Sequence, residues 1–166
     1  MRRIVAISAL LSMLLVTVTG CLKPDTDSDG SMPDNRGIRI SQGEYDVEAP
    51  VFLTIQGVDY SGDSPIIGII WHNTTRYKIS FGERYIIERF ENSEWVNAAI
   101  CDKAFPEIAL MLKEHGVYNK SYPTNWVDIS KEGTYRLRTS YILHHDDDAD
   151  NYTDESIFVE FTVKKQ

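Results

Sequence analysis

Cysteine is nearly absent. The 166 residues include only Cys21 and Cys101, which excludes the small disulfide-stapled scaffolds and leaves an apolar core to hold the fold. Positive charge is also short, with 17 basic residues against 25 acidic ones. Counterion release on a polyanion needs a basic stripe, and the basic residues here are scattered among acids, so nucleic acid is excluded as a partner. No apolar run is long enough to span a bilayer as a helix, which takes about 20 residues. The longest, Ile4 to Val18, is already broken by Ser8, Ser12 and Thr17. Catalytic signatures are missing too. No Gly-x-Ser-x-Gly occurs, Gly62-Asp63-Ser64 lacks the strand-turn-helix setting of a nucleophile elbow, and Cys101 with His115 is a pair of residue types only. No acid sits in the apolar surroundings that a raised-pKa carboxyl needs, so the expectation is a non-enzyme without a cofactor.

What is present begins at the N-terminus. Arg2 and Arg3, the apolar run and the small residues after it have the three-part layout of an export signal. Val18-Thr19-Gly20-Cys21 resembles the lipobox of bacterial lipoproteins, with valine where leucine is most common. That resemblance implies a signal peptide over residues 1–20, alkylation of the Cys21 thiol by a diacylglyceryl group, and Cys21 as the first mature residue. The implied location is a bacterial cell membrane, lipid-anchored and facing the extracytoplasmic side. Two acyl chains supply the two hydrophobic signals that stable anchoring requires, at roughly 0.8 kcal/mol per buried methylene. Loss of residues 1–20 would leave 15 basic against 25 acidic residues, a net charge of −10. Such a surface gains nothing from anionic headgroups, so the membrane contact is expected through the lipid alone. With Cys21 spent in this way, Cys101 is expected to enter no intramolecular disulfide. Flanked by Asp102 and near Glu107, it lacks the cationic surroundings of a reactive thiolate and reads as a small buried side chain.

Residues 21–49 are rich in Asp, Ser, Gly, Pro and Asn and read as a lipidated flexible tether. Beyond Pro50 the hydropathy alternates with period two. Val51, Leu53 and Ile55 oppose Phe52, Thr54 and Gln56; Tyr135, Leu137, Thr139 and Tyr141 oppose Arg136, Arg138 and Ser140; Ile157, Val159, Phe161 and Val163 oppose Phe158, Glu160, Thr162 and Lys164. Pro65 to Trp71 reads as a central strand. Tyr77 to Ser80, Arg84 to Phe90 and Glu94 to Ile100 read as shorter ones, separated by Phe81-Gly82 and Asn92-Ser93. Seven or eight strands in about 115 residues is the spacing of an antiparallel sandwich. Pro106 to His115 has helix-forming composition with Gly116 as a stop. Propensity alone predicts a helix there.

Glu132-Gly133-Thr134-Tyr135 places a glycine turn before a tyrosine on an alternating strand, and resembles the tyrosine corner of Greek-key sandwiches. Gly133 and Tyr135 are therefore structural candidates, with the tyrosine hydroxyl expected to bond backbone near Asp128 to Ser130. Together with Trp71-His72-Asn73-Thr74-Thr75, Phe81-Gly82 before Tyr85-Ile86-Ile87-Glu88, Trp95 after Asn92-Ser93, and the closing Phe158-Val159-Glu160-Phe161-Thr162-Val163, this motif resembles the bacterial immunoglobulin-like domains of small surface lipoproteins. The likeness covers about residues 50–166. It implies an all-β, immunoglobulin-like Greek-key antiparallel β-sandwich, and it implies strand rather than helix over Leu110 to Gly116. Phe81 stands where the pattern usually has tyrosine.

Two acidic segments invite a cation. Asp25-Thr26-Asp27-Ser28-Asp29-Gly30 opens like a calcium loop, but the twelfth position is Arg36 and no closing acid is there. His144, His145, Asp146, Asp148 and Asp150 lie in the connection expected between the last two strands. Adjacent histidines on an extended chain point to opposite sides, so the segment reads first as a solvated loop and second as a metal site. Trp71 and Trp95 are expected in the core. Tyr118, Tyr122 and Trp126 lie in a polar stretch that leaves room for an exposed ring, with core or edge packing the leading expectation. The sum is a non-catalytic surface interaction module with an envelope protein or glycan as partner. The alternatives are a cation-dependent binding domain built on residues 144–151 and, third, an envelope hydrolase.

Overall fold

The two strongest alternating segments find each other. β9 (Gly133–His144) and β10 (Tyr152–Lys165) pair antiparallel with Leu137 opposite Val159 and Tyr135 opposite Phe161, so one face of both strands is apolar and buried. This is a computed structural model, and it describes residues 35, 37–43, 45, 47–145 and 151–166. Around this pair a seven-stranded sheet assembles from β1 (Ile38–Gln42), β4 (Lys78–Phe81), β5 (Ile86–Glu91), β6 (Glu94–Asn97) and β7 (Leu110–Leu112). A three-stranded sheet of β2 (Val51–Asp59), β3 (Ile66–Asn73) and β8 (Val117–Pro123), in the order β2-β3-β8, packs against it. All pairings are antiparallel, and among the described residues there is no helix.

The layers meet over aromatic rings. Trp71 of β3 stacks on Phe81 of β4 with centroids 4.0 Å apart, and its indole Nε1–H donates to the Tyr122 hydroxyl of β8 at 2.9 Å. Tyr135 stacks on Phe161. A buried ring of this size removes roughly 150–250 Å² from water, ~4–6 kcal/mol of transfer free energy before the cost of ordering the chain.

Several expectations need correction. The folded part begins before Pro50, because β1 lies within the segment read as tether. Its two isoleucines, Ile38 and Ile40, alternate among polar residues, pair with the end of β10 and are buried, as is Asn35, whose amide donates to the Val127 carbonyl. Five residues surrounded by Asp, Asn and Gly carry too short a pattern to stand out. Strand β8 was also hidden. Its inward positions are Tyr118, Lys120 and Tyr122, and a lysine at the centre breaks the apolar alternation. Ten strands result among the described residues, where seven or eight were expected. The 106–115 segment contains no helix: Leu110–Leu112 is a short strand, and the chain before it runs without regular structure. Tertiary pairing overrides propensity there. Gly116 then turns the chain into β8 where a Cβ would sit 2.8 Å from Leu112 Cδ1. Residues 1–20, expected as a signal peptide, Cys21 and Asp25 to Gly30 lie outside the described residues.

β9 has an unusual pair of neighbours on one side. Residues 135–138 pair with β5 and residues 141–144 pair with β4. Between them the chain of Gly82 to Tyr85 steps from one strand to the next, and Thr139 closes the gap by donating its hydroxyl to the Arg84 carbonyl at 2.8 Å.

Candidate functional site

On the outer face of the large sheet, alternation turns Arg136, Arg138 and Phe158 away from the core, and the β5–β6 hairpin brings Glu88, Phe90 and Trp95 beside them. The hairpin turns at Asn92 and Ser93, with φ of 50° and 69°, the left-handed pair that a tight two-residue turn requires. Register puts Glu88 opposite Arg136 and Phe90 opposite Trp95. Arg136 Nε donates to Glu88 Oε2 at 2.6 Å; Arg138 donates from Nε to the same oxygen and from Nη2 to Oε1, both at 3.2 Å. The Arg136 guanidinium also lies 4.4 Å from the Trp95 ring centroid and 5.4 Å from that of Phe158. Phe90 and Phe158 are about half exposed, at 46% and 49%. Trp95 is half-buried on this face and not in the core: its register with Phe90 puts the ring on the outer side of the sheet, beside the Arg136 guanidinium. The result is a ring-and-guanidinium surface held flat by a buried carboxylate. It is suited to stacking against a partner.

A groove of ≈ 580 Å³ opens where β9 changes neighbours, lined among others by Ser80, Arg84, Phe105, Ile108 and Asp154. Ser80 Oγ and His144 Nε2 are 2.8 Å apart here, a serine–histidine contact that invites a hydrolytic reading. Ser80 is mid-strand and buried, and among the described residues no carboxylate orients the other nitrogen of His144. The orienting third group that an activated serine relies on is not assembled among the described residues.

The sequence-predicted residues fall as follows. His144 and His145 open the β9–β10 connection and diverge: His144 meets Ser80, while His145 Nε2 lies 2.6 Å from Thr153 Oγ1 with its ring edge-on to Tyr77. Asp146, Asp148 and Asp150 lie outside the described residues. Among the described residues no group of three or more His, Cys, Asp or Glu side chains is placed to hold a metal ion. Gly133 has φ of +150°, and Tyr135 is fully buried. The Tyr135 hydroxyl donates to the Lys131 carbonyl at 2.8 Å, one residue beyond the expected acceptors; Asp128 Oδ1 accepts from the Ser130 N–H and hydroxyl in the turn before it. Tyr122 and Trp126 are buried and Tyr118 is partly exposed. Cys101 is nearly buried and disulfide-bonded, against the expectation from sequence. That expectation rested on alkylation of Cys21, the other cysteine of the sequence, and a sulfur carrying a thioether cannot also close a disulfide.

The Glu88, Arg136, Arg138 cluster was not anticipated. The arginines stood out only as the polar phase of an alternating strand, and Glu88 lies in a segment whose register with them no local pattern fixes.

A family model described as bacterial Ig-like domain matches residues 47–159. No curated protein matches the chain.

Proposed function

We propose that this chain, which belongs to the bacterial Ig-like domain family, is a non-catalytic interaction module held at the extracytoplasmic face of a bacterial membrane by lipid on Cys21. Its partner is an envelope protein or glycan that docks on the outer face of the large sheet. Bacterial Ig-like domains are surface-exposed binding modules in general, which supports the class. The observation that carries the choice of face is the pair of exposed rings, Phe90 and Phe158, with the half-buried Trp95 around Arg136. Aromatic rings and arginine are the residues that dominate binding energy at interfaces, and rings also stack on sugars.

A photo-crosslinking residue at position 158, expressed in the native envelope, should yield a discrete adduct that the same residue at Thr54, on the outer face of the other sheet, does not. Equal labelling at both positions, or none at 158, refutes the face. The anchor has its own test. Metabolic labelling with palmitate should mark the wild type and not Cys21→Ser, and equal labelling would sink it. In the anchored form the sulfur of Cys21 is spent, so a Cys21–Cys101 disulfide and the lipid are alternatives that non-reducing mass spectrometry separates.

A further inference from the structure

The connection from β6 to β7 carries a lysine into the most aromatic corner of the molecule. Tyr85, Phe105 and Trp126 stand steeply inclined to one another: 62° and 5.2 Å between Tyr85 and Phe105, 66° and 5.4 Å between Tyr85 and Trp126, 76° and 5.7 Å between Phe105 and Trp126. Three such rings form the walls of a concave corner. Lys103 Nζ sits in front of all three, 5.9, 5.4 and 5.5 Å from the respective centroids of Tyr85, Phe105 and Trp126. Among the described residues no carboxylate pairs with it. Among the described residues, ring faces are what hold this ammonium.

Two walls are fixed in advance. The Tyr85 hydroxyl donates to the Pro123 carbonyl and accepts the Trp126 Nε1–H at 3.1 Å, and both rings are buried. The third wall, Phe105, and Lys103 itself belong to the irregular connection and line the ≈ 580 Å³ groove, together with the acids Glu107 and Asp154. Lys103 thus stands between the two buried rings and the groove, so displacing its side chain joins the corner to space that a ligand can enter.

We propose that this aromatic corner is a binding site for quaternary ammonium groups, plugged in the resting state by the chain's own Lys103. A primary ammonium is strongly hydrated and gives up water to sit against rings, and burial lowers the Lys103 pKa accordingly. A trimethylated ammonium spreads its charge over methyl groups, costs less to desolvate and fills a three-walled corner by contact, which is why aromatic cages select it. Lysine holds the site because it is tethered beside it, at high effective concentration. The inference is independent of the ring patch around Arg136.

The test follows the Trp126 indole N–H by NMR, assigned with Trp126→Phe, as choline chloride is titrated into the full chain against sodium chloride of equal ionic strength. Lys103→Ala should bind choline about 10-fold more tightly than wild type, the gain expected when a competitor occupying about nine-tenths of the site is removed. Phe105→Ala added to that variant should abolish binding while the melting profile shows it folded. A shift with free choline assigns a soluble ammonium, and a shift only with phosphatidylcholine vesicles assigns a lipid headgroup. No shift of Trp126 in Lys103→Ala with either probe overturns the proposal, as does an affinity equal in Lys103→Ala and wild type.

Discussion

Replacing Glu88 with glutamine tests how the outer face is held together. Glu88 is only 7% exposed although it points away from the core, because Arg136 and Arg138 fold over it. Burial by itself raises its carboxyl pKa; the hydrogen bonds and charges of Arg138 and Arg136 outweigh that, and the net result lies below the ordinary 4.5. A depressed carboxylate contributes stability that is present above its unfolded pKa and is lost as pH falls through the folded one. Glutamine keeps the shape and one acceptor but leaves two guanidiniums facing each other. Breaking a fully buried pair costs about 3–5 kcal/mol and an exposed one about 0.2–1. The side chains of Arg136 and Arg138 keep 19% and 41% exposure, so the cost falls between, about 1–2 kcal/mol. At roughly 2.1 cal/mol/K per residue, a fold of about 130 residues loses ~4–7 °C of melting temperature. Urea unfolding at a series of pH values reads it directly. The gap between wild type and Glu88→Gln should be full at pH 7 and shrink below pH 4.5, where protonated glutamate comes to resemble glutamine. A gap of the same size throughout, or none at pH 7, would refute the reasoning.

Tyr135→Phe removes the hydroxyl that reaches the Lys131 carbonyl; since Lys131 is itself exposed, water replaces the donor in part, and the expected cost is about 1 kcal/mol, read as a shifted urea midpoint. An unchanged midpoint would count against the corner. Neutralising Asp146, Asp147, Asp148 and Asp150 should leave the melting temperature unchanged or slightly higher in metal-free buffer, because like charges in a row repel; a fall confined to buffers with calcium or zinc would favour the cation-dependent alternative.

The strands legible in the sequence are those whose buried faces are continuous: Val51, Leu53 and Ile55 in β2, Tyr135 and Leu137 in β9, and Ile157 through Val163 in β10. Periodicity reports a strand when one face is uniformly apolar, and it fails where function or topology interrupts that face. Lys120 interrupts β8 because its ammonium turns inward to donate to the Gly82 carbonyl at 3.0 Å and pair with Glu83 at 2.8 Å, spanning the two sheets. Trp95 departs in the opposite sense: a large apolar residue in a strand pattern, left on the outside because its register with Phe90 turns it toward Arg136 and away from the core. The candidate site was less readable than the fold, since its parts are about 20 to 70 residues apart in sequence and only the register of β5 on β9 and of β9 on β10 makes Glu88, Arg136 and Phe158 adjacent. The aromatic corner unites Tyr85, Phe105 and Trp126 from three separate segments, and no spacing rule links them.

The pairing of β1 with β10 decides how the domain bears mechanical load. Ile38 lies opposite Lys165 and Gln42 opposite Phe161, so the chain enters and leaves the sandwich side by side. Tension applied between those two ends peels the strands apart one pair at a time, which yields at low force. Tension between the N-terminal end of β1 and a grip at Phe158, beyond the paired stretch, pulls the same two strands along their length, and all five pairs must give way together. The domain is therefore weak when pulled by its two ends and strong when pulled between its N-terminal side and whatever sits on its outer face.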